Sequence, residues 1–336
     1  MRIALDAMGS DNHPAPEIEA AVAYTREYGA GLFLVGDQPR LDEALGGHAE
    51  GIELVNAPEV FEMGDHISLS ALRRAQNSMG IGLDLVKSGK ADAFVTAGNT
   101  GGAMAIALTR LGRLSGVQRP GLSVPFPTKT GRCVALDIGA NAECKPEYLL
   151  QFALMGSAYA EKALGISKPR VGLLSNGEEA GKGNDLVKAT FPLLAASGLN
   201  FIGNIEGKEL FGGECDVVIT DGFTGNVLMK GAEAVAKMIT DRLRAELTAS
   251  WRTKIGAMLA RPAFLALRKD LDPSEVGAAT LLGVDGLVFV AHGRSDAQAL
   301  FSALKLAHHS IEVELLASLR SVIEDGLSQM SAESAG

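Results

Sequence analysis

The stretch Ala93-Phe94-Val95-Thr96-Ala97-Gly98-Asn99-Thr100-Gly101-Gly102 passes from a short apolar run into a loop of small and polar residues. We interpret its first three residues as a buried strand. The segment Ala103–Leu114, whose apolar residues recur at helical spacing, is the helix that follows. A strand, a glycine-rich turn and a helix in this order form the repeating unit of layered α/β proteins. The glycines of the turn let the backbone come close to a ligand.

The same unit recurs along the chain. The other candidate strands are Ile3–Leu5, Leu32–Val35, Ile52–Val55, Cys133–Leu136, Val171–Leu174, Phe201–Ile205, Val217–Ile219 and Leu287–Val290. The other candidate helices are Ile18–Tyr28, Leu69–Lys87, Tyr148–Leu164, Leu186–Ala196, Val227–Leu247 and Gln298–Leu319. Near-continuous apolar strands separated by helices predict a mainly parallel sheet covered on both faces. We expect one large α/β domain over 1–328 and a flexible tail over 329–336.

Composition excludes several classes of protein. Hydrophobic residues make up 47% and charged residues 21% of the chain, which fits a soluble globular protein. The formal net charge of −9 argues against general nucleic-acid binding, which requires a basic surface. No apolar run reaches the roughly 18 residues that span a membrane, and the first residues show no signal-peptide pattern, so we expect a cytoplasmic protein. The three cysteines lack the spacing of a disulfide framework or zinc site.

Small and polar residues follow most of the candidate strands. The loops concerned are 6–11, 96–102, 137–143, 175–184, 220–226 and 291–296. In an open parallel sheet these strand ends lie on one edge, and ligands bind in the crevice beyond them. Backbone N–H groups at helix N-termini bind phosphate there with little help from Lys or Arg. We therefore predict a shared anion site, although turn glycines and helix caps explain any single loop equally well.

Familiar catalytic motifs are missing from these loops. Gly181-Lys182-Gly183-Asn184 lacks the P-loop frame, no strand leads into G-x-G-x-x-G, and there is no G-x-S-x-G elbow. The histidines form no HExxH pair, and the adjacent His308 and His309 cannot both face one metal ion. We expect neither a metal nor a cofactor. His292, between a strand and Gly293, is the histidine best placed for chemistry, with a structural role as the alternative.

A basic amphipathic segment, 248–272, interrupts the alternation of strands and helices. Trp251, Ile255 and Leu259 fall on one helical face, and Pro262 is expected to break the helix into a helix–turn–helix projection. Such a segment can lie at a subunit contact, on anionic lipid or against an acidic partner protein, and the sequence leaves all three open. The residues predicted to make the membrane or carrier-protein contact are Trp251, Arg252, Lys254, Ile255, Leu259, Arg261, Phe264, Arg268 and Lys269.

Several segments in a fixed order carry a family resemblance. They are Asp6–Gly9, Thr96–Gly101, Leu136–Asn141, Gly177–Glu179 with Lys182–Asn184, Gly203–Gly207, Asp221–Asn226, and Leu281–Gly286 with His292-Gly293. From Met1 to about Leu319 the chain resembles the phosphate acyltransferase family, which converts acyl-acyl-carrier protein and inorganic phosphate into acyl phosphate. Ser10, Ser175-Asn176 and Arg294 depart from the family pattern.

The resemblance implies more than the residues alone. It implies a three-layer α/β/α sandwich like that of phosphotransacetylases and isocitrate-dehydrogenase-like enzymes, and a homodimer. It implies acyl carrier protein and inorganic phosphate as substrates, and a role in phosphatidic acid and phospholipid synthesis. It also implies peripheral association with the inner face of the cell membrane, with the downstream glycerol-3-phosphate acyltransferase as a possible partner.

The expected reaction is direct attack of phosphate on the thioester, without a covalent enzyme intermediate. In this hypothesis His292 protonates the leaving thiolate or hydrogen-bonds phosphate, Lys182 adds positive charge, and Asn226 binds phosphate or the oxyanion. In the same hypothesis Asp6, Asp137, Glu143 and Asp221 orient these donors, with helix capping as the alternative role. The other residues predicted to bind substrate or phosphate are Asp6, Gly9, Asn99, Thr100, Gly101, Asn141, Glu178, Asn184, Asp221, Thr224, Gly225 and Ser295.

Three other functions fit parts of the sequence. A phosphotransacetylase-like enzyme acting on a coenzyme A thioester would carry similar loops. A dehydrogenase of the related fold would bind a nicotinamide cofactor and a divalent metal, for which the sequence offers no ligand cluster. A non-catalytic binder of acyl chains or phosphate would leave the polar residues after the strands without a role.

Overall fold

The computed structural model describes residues 1–47, 50–61, 76–271 and 273–333, and for 268–271, 273 and 327–333 it describes the backbone alone. Within these residues, eleven strands form one sheet. They are β1 (Arg2–Asp6), β2 (Gly31–Gly36), β3 (Ile52–Asn56), β4 (Ala93–Thr96), β5 (Gly121–Thr128), β6 (Gly131–Leu136), β7 (Val171–Leu174), β8 (Phe201–Ile205), β9 (Val217–Ile219), β10 (Ala279–Leu282) and β11 (Leu287–Val290). Their order in the sheet is β3-β2-β1-β4-β11-β10-β5-β6-β9-β7-β8.

Helices connect and cover these strands. They are α1 (Ala15–Tyr28), α2 (Gln38–Leu45), α3 (Ser78–Lys87), α4 (Thr100–Arg110), α5 (Pro146–Ala163), α6 (Asp185–Ala195), α7 (Gly207–Gly212), α8 (Gly222–Thr248), α9 (Trp251–Leu259), α10 (Arg261–Leu271), α11 (Ala297–Glu312) and α12 (Leu315–Glu333). A short 3-10 helix covers Pro273–Glu275.

Every strand predicted from the sequence is present, but β5 and β10 were not predicted. Pro125 and Pro127 hid β5, because proline cannot donate a hydrogen bond and is rare inside a sheet. The structure tolerates both prolines because β10 pairs only with Gly121–Ser123. Beyond Ser123, that side of β5 is an edge, where a missing N–H breaks no strand pairing.

These two strands reverse the direction of the sheet. β1–β4 and β11 are parallel to one another and form a first strand group; β6–β9 are parallel and form a second. Between the groups, the pairs β11–β10, β10–β5 and β5–β6 are all antiparallel. Three reversals leave the two groups pointing in opposite directions. The prediction that all strand ends share one edge was therefore wrong.

Successive side chains of the strands enter two separate apolar cores. In β1, Ile3 and Leu5 belong to one core, which includes Phe152 of α5. Ala4 belongs to the other core, which includes Ile106 of α4. This alternation places helices on both faces of a mostly parallel sheet and confirms the predicted layered α/β architecture.

Some helix boundaries differ from the predictions. The predicted helix Gln298–Leu319 is two helices, α11 and α12, because the chain turns at Glu314, whose φ is 53°. α12 continues to Glu333, so residues 329–333 of the predicted tail lie in a helix. Of the predicted helix Leu69–Lys87, α3 covers only the part from Ser78, and residues 69–75 lie outside the described residues.

Helix α8 leaves the layered body of the fold. It spans 27 residues, and its buried residues are Gly222 and Gly225, both at its start. α9 and α10 follow it, with a break at Ala260. Pro262 stands at the second position of α10, where its missing N–H costs nothing. The predicted helix break beside Pro262 is confirmed.

Candidate active site

The loops after β1 and β4 touch through their backbones. The buried carboxylate of Asp6 accepts hydrogen bonds from the Met8 N–H at 3.0 Å and the Thr96 hydroxyl at 2.7 Å. A Cβ atom on Gly9 would lie 2.7 Å from the Gly98 nitrogen, so a larger residue would push the loops apart. The hydrogen bonds of Asp6 and the missing side chain of Gly9 therefore keep the two loops in contact.

Helix α4 begins at these loops and faces a large cavity. Asn99 caps the helix by accepting the Gly102 N–H at 2.9 Å. The first two helical residues, Thr100 and Gly101, line a cavity of about 920 Å³. In the part of the chain that the structure describes, no acceptor pairs with their N–H groups. Such N–H groups, together with the positive end of the helix dipole, form an anion-binding site.

His292 lines the same cavity and is half-exposed. Its Nε2 lies 3.9 Å from a carboxylate oxygen of Glu233 on α8. Burial lowers the pKa of His292; Glu233 acts to raise this pKa, while Arg294 and Lys230 lower it further. The imidazole is therefore neutral at neutral pH and can accept a proton from a bound ligand.

The loop that carries His292 is fixed on both sides. The Asp11 N–H donates to the Gly293 carbonyl at 2.7 Å, and the Ser295 N–H donates to the His292 carbonyl at 2.9 Å. Ser295, a predicted site residue, is buried and does not line the cavity. The bond between Asp11 and Gly293 ties the loop after β11 to the loop after β1.

A second polar cluster lies after β6 and is organised by Asp137. This carboxylate is fully buried and accepts five hydrogen bonds of 2.7–3.1 Å, from the N–H groups of Leu122, Gly139, Ala140 and Asn141 and the Asn141 amide. The Asn141 amide also donates to the Pro120 carbonyl at 2.7 Å. Asn141 is thus engaged within the loop. Glu143, also in this loop, is exposed.

The start of α8 packs directly on this loop. Asp221 accepts both the N–H and the hydroxyl of Thr224 at 2.8 Å. A Cβ atom on Gly225 would overlap the Asp137 backbone oxygen. The Gly222 N–H donates to the Asn141 carbonyl at 2.8 Å. Since these donors already have partners, the start of α8 is a poorer anion site than the start of α4.

Three of the predicted site residues lie in the loop after β7. Lys182 is exposed, and Asn184 caps α6 by accepting the Val187 N–H at 2.9 Å. Glu178 pairs with the Lys208 ammonium at 2.7 Å. None of the three lines the cavity. Glu206 and Glu209 also approach Lys208, at 3.3 Å each, so this ammonium occupies the acidic cluster.

The cavity joins the two strand groups through α8. Asn226 faces it from the second group, and Thr100, Gly101 and His292 face it from the first. Asn226 and Glu233 are seven residues apart on α8, which is about 10 Å along a helix. Asn226 and the Glu233–His292 pair therefore lie at different levels of one cavity.

Sequence reasoning missed two charged residues of the cavity, Lys230 and Glu233. Both follow Asn226 on α8, at spacings of four and seven residues, which places all three on one helical face. That spacing was the available signal. Cys144 is no nucleophile here, because burial raises the pKa of its thiol to about 12.

The projecting helices expose apolar and basic side chains together. Trp251 is 68% exposed and Leu259 is 78% exposed. The Arg252 guanidinium lies over the Trp251 ring, 5.4 Å from the ring centroid. Phe264 is half-buried, while the side chains of Arg268 and Lys269 lie outside the described residues.

Within the described part of the chain, none of the helices combines the length and apolarity needed to cross a membrane.

The fold is similar to that of solved phosphotransacetylases. The structure of a phosphotransacetylase from Streptococcus pyogenes matches 96% of this chain and 94% of its own, with a TM-score of 0.62 and 16% identity. At this identity the likeness concerns the fold alone.

Sequence relatives are much closer. A family model described as "Fatty acid synthesis protein" matches residues 1–317. The phosphate acyltransferase of Elusimicrobium minutum is 45% identical over 329 residues, covering 97% of this chain and 96% of the relative. That of Pelotomaculum thermopropionicum is 44% identical over 326 residues, covering 96% and 95%. The chain therefore belongs to the phosphate acyltransferase family, and it is an acyltransferase.

Proposed function

We propose that the protein transfers an acyl group from acyl-acyl-carrier protein to inorganic phosphate, forming acyl phosphate for phospholipid synthesis. One observation supports this most: a single cavity joins the start of α4, neutral His292 and a long apolar wall. The start of α4 suits phosphate, the imidazole suits proton transfer, and the apolar wall suits an acyl chain. Membership of the family supports the same reaction.

In the proposed step, an oxygen of hydrogen phosphate attacks the thioester carbonyl carbon. A carbon–oxygen bond forms, the carbon–sulfur bond breaks, and its electron pair leaves with the sulfur. The proton of the phosphate hydroxyl passes to the neutral imidazole of His292 and from there to the sulfur. The products are acyl phosphate and the carrier thiol, so atoms and charge balance.

Other residues of the chain would bind the phosphate and stabilise the oxyanion. The N–H groups of Thr100 and Gly101 bind phosphate, and Lys230 adds positive charge to the cavity. Asn226 hydrogen-bonds the oxyanion. Lys182 remains a candidate for phosphate contact. Its exposed side chain lies in the loop after β7, and β7 pairs with β9, the strand that leads into α8.

The test is an assay of purified protein with palmitoyl-acyl-carrier protein and inorganic phosphate, following acyl phosphate and free carrier. We expect phosphate-dependent turnover, and a loss of at least about 100-fold in His292→Ala, as for removal of a general acid–base group. Turnover on palmitoyl-coenzyme A alone would instead identify a phosphotransacetylase-like enzyme. Ligand binding without turnover on either thioester would identify a binder.

We propose that the projection of α9 and α10 docks the enzyme on the inner face of the cell membrane. Exposed Trp251 and Leu259 beside Arg252, Lys254 and Arg261 suit an anionic lipid surface, against a chain of net charge −9. The same basic residues suit an acidic carrier protein. In this proposal the protein is a cytoplasmic homodimer and passes its product to a glycerol-3-phosphate acyltransferase. Sedimentation of the purified protein tests the dimer.

A further inference from the structure

The two residues that flank His292 are both hydrogen-bonded to neighbouring parts of the fold. The Ala291 N–H donates to the Thr96 carbonyl at the end of β4, at 2.8 Å. The Gly293 carbonyl accepts the Asp11 N–H at 2.7 Å. The first bond continues the pairing of β11 with β4, so the sheet fixes it. The second bond depends on where the loop after β1 lies, and the position of His292 therefore depends on that loop.

Ser10, the residue before Asp11, is held at both its N–H and its carbonyl. Oε1 of Glu17 accepts the Ser10 N–H at 3.0 Å. The Ser10 carbonyl accepts from His13 Nδ1 at 2.7 Å and from the His13 N–H at 3.3 Å. Glu17, at 0% exposure, and Ser10, at 2%, are both buried. Water therefore cannot readily replace the carboxyl as the partner of this N–H.

A glutamate at this place in a helix commonly has a simpler role, the capping box. Glu17 is the third residue of α1, where a capping-box glutamate bonds the N–H of the N-cap residue. The N-cap here is Pro14, which has no N–H to donate. The Glu17 side chain instead reaches back past Pro14 to Ser10, seven residues earlier. Its bond therefore fixes the loop after β1 and not the N-cap.

The bond needs an acceptor oxygen and no negative charge. Burial raises the pKa of the Glu17 carboxyl, and the nearby Asp6 carboxyl raises it further, against the lowering effect of the Ser10 hydroxyl. A raised pKa favours the neutral acid, whose carbonyl oxygen still accepts an N–H. A glutamine amide has the same shape and the same acceptor, and its NH2 can donate to the Ser10 hydroxyl. Glutamine should therefore replace Glu17, whereas an apolar side chain should not.

We infer that Glu17 is a positioning residue for His292: it fixes the loop after β1, and this loop holds the residue that follows His292. In the proposed function, on which this role rests, His292 carries the proton. The start of α4 is held separately, because Asp6 bonds Met8 and Thr96 directly. Loss of the Glu17 oxygen should therefore lower kcat and leave the KM for phosphate unchanged.

The experiment compares Glu17→Met with Glu17→Gln in the full-length enzyme, using palmitoyl-acyl-carrier protein and inorganic phosphate. Methionine is close to glutamate in size but lacks the acceptor oxygen. Glu17→Met should lower kcat about tenfold, as for a buried N–H left without its partner. Glu17→Gln should keep kcat close to the wild-type value. In each case kcat is expressed per folded molecule, with the folded fraction measured by circular dichroism.

A double variant separates positioning from a general loss of activity. If Glu17 acts through His292, then Glu17→Met adds little further loss in the His292→Ala background, because no imidazole remains to be positioned. An effect by any other route would appear in both backgrounds. Glu19→Ala is the matched control, since Glu19 is an exposed carboxylate in the first turns of the same helix. Its kcat and KM should equal those of the wild type.

Three results would overturn the inference while leaving the proposed function intact. They are wild-type kcat in Glu17→Met, equal losses in Glu17→Met and Glu17→Gln, and a loss that persists undiminished in the His292→Ala background. Glu17→Ala provides a second variant without the oxygen, should the methionine variant not fold. A wild type that is inactive on this thioester would refute the proposed function itself.

Discussion

Glu233 contributes to the pKa of His292, although it lies on a helix from the other strand group. Its carboxylate raises the pKa of His292 against the lowering effect of burial. In Glu233→Gln the pKa of His292 falls further, so the neutral imidazole persists to lower pH. If catalysis needs the neutral form, the acidic limb of the pH profile of kcat/KM shifts to lower pH in this variant.

Glu246→Gln is the control for this experiment. Glu246 lies on the same helix and is exposed, and it does not line the cavity. Its pH profile should match that of the wild type. An acidic limb that stays in place in Glu233→Gln would mean that a group other than His292 governs it.

Single residues show which parts of the site a sequence reveals. The place of His292, Thr100 and Gly101 at the cavity could be predicted because each lies a few residues after the end of a strand, and apolar strands can be recognised in the sequence. Lys230 and Glu233 could not, because their role depends on where α8 passes. The sequence left open whether Asp221 and Asn184 bind a ligand or cap a helix. In the structure their side-chain oxygens accept N–H groups of the following helices.

At the scale of elements, the contact between α8 and the loop after β6 leaves no room for a side chain at Gly225. In Gly225→Ala the new Cβ overlaps the Asp137 backbone oxygen, so helix and loop must separate. We expect a loss of about 2 kcal/mol or more in the free energy of unfolding. Urea denaturation followed by circular dichroism measures it.

Gly231→Ala is the matched change on the same helix. No atom lies within 4 Å of a Cβ at Gly231. Alanine is the better helix former by about 1 kcal/mol, so this variant should be more stable than the wild type. Equal destabilisation by both substitutions would rule out the close contact at Gly225 as the cause.

The projection of α9 and α10 carries its own reporter, since Trp251 is the single tryptophan of the chain. If the projection docks on lipid, vesicles of anionic lipid with brominated acyl chains quench Trp251 fluorescence. Vesicles of zwitterionic lipid quench the fluorescence much less. High salt weakens the quenching by anionic vesicles, because it screens surface charge.

A charge-reversed variant separates lipid from carrier protein. Arg252→Glu combined with Lys254→Glu should abolish the quenching while turnover of soluble palmitoyl-acyl-carrier protein continues. Quenching that survives in this variant would contradict the role of the basic residues. A large rise in KM for the carrier substrate would assign them to the carrier protein.

At the scale of the whole molecule, the two opposed strand groups divide the candidate residues. His292 follows a strand of the first group and Lys182 a strand of the second. In the proposed reaction both residues contact the same phosphate, and residues that share a partner contribute non-additively. We therefore expect the loss in kcat/KM of the double variant His292→Ala, Lys182→Ala to be smaller than the product of the two single losses. Losses that multiply would show that Lys182 does not act on the phosphate that His292 contacts.

The overall architecture was largely predictable, but the opposed directions of its two strand groups were not. Alternating apolar strands and amphipathic helices identify a layered α/β fold, because both patterns are local. The opposed directions of the two groups depend on β5 and β10. Pro125 and Pro127 mask the first of these strands.

In the sheet, β4 lies between β1 and β11. Its pairing with β11 has a consequence for synthesis of the chain. Residues 93–96 leave the ribosome early, but their partner 287–290 emerges almost two hundred residues later. Until then the nascent sheet carries a bare edge, which is prone to pair with other chains. Because His292 follows that same strand, the growing polypeptide acquires its candidate catalytic imidazole only when the edge is covered.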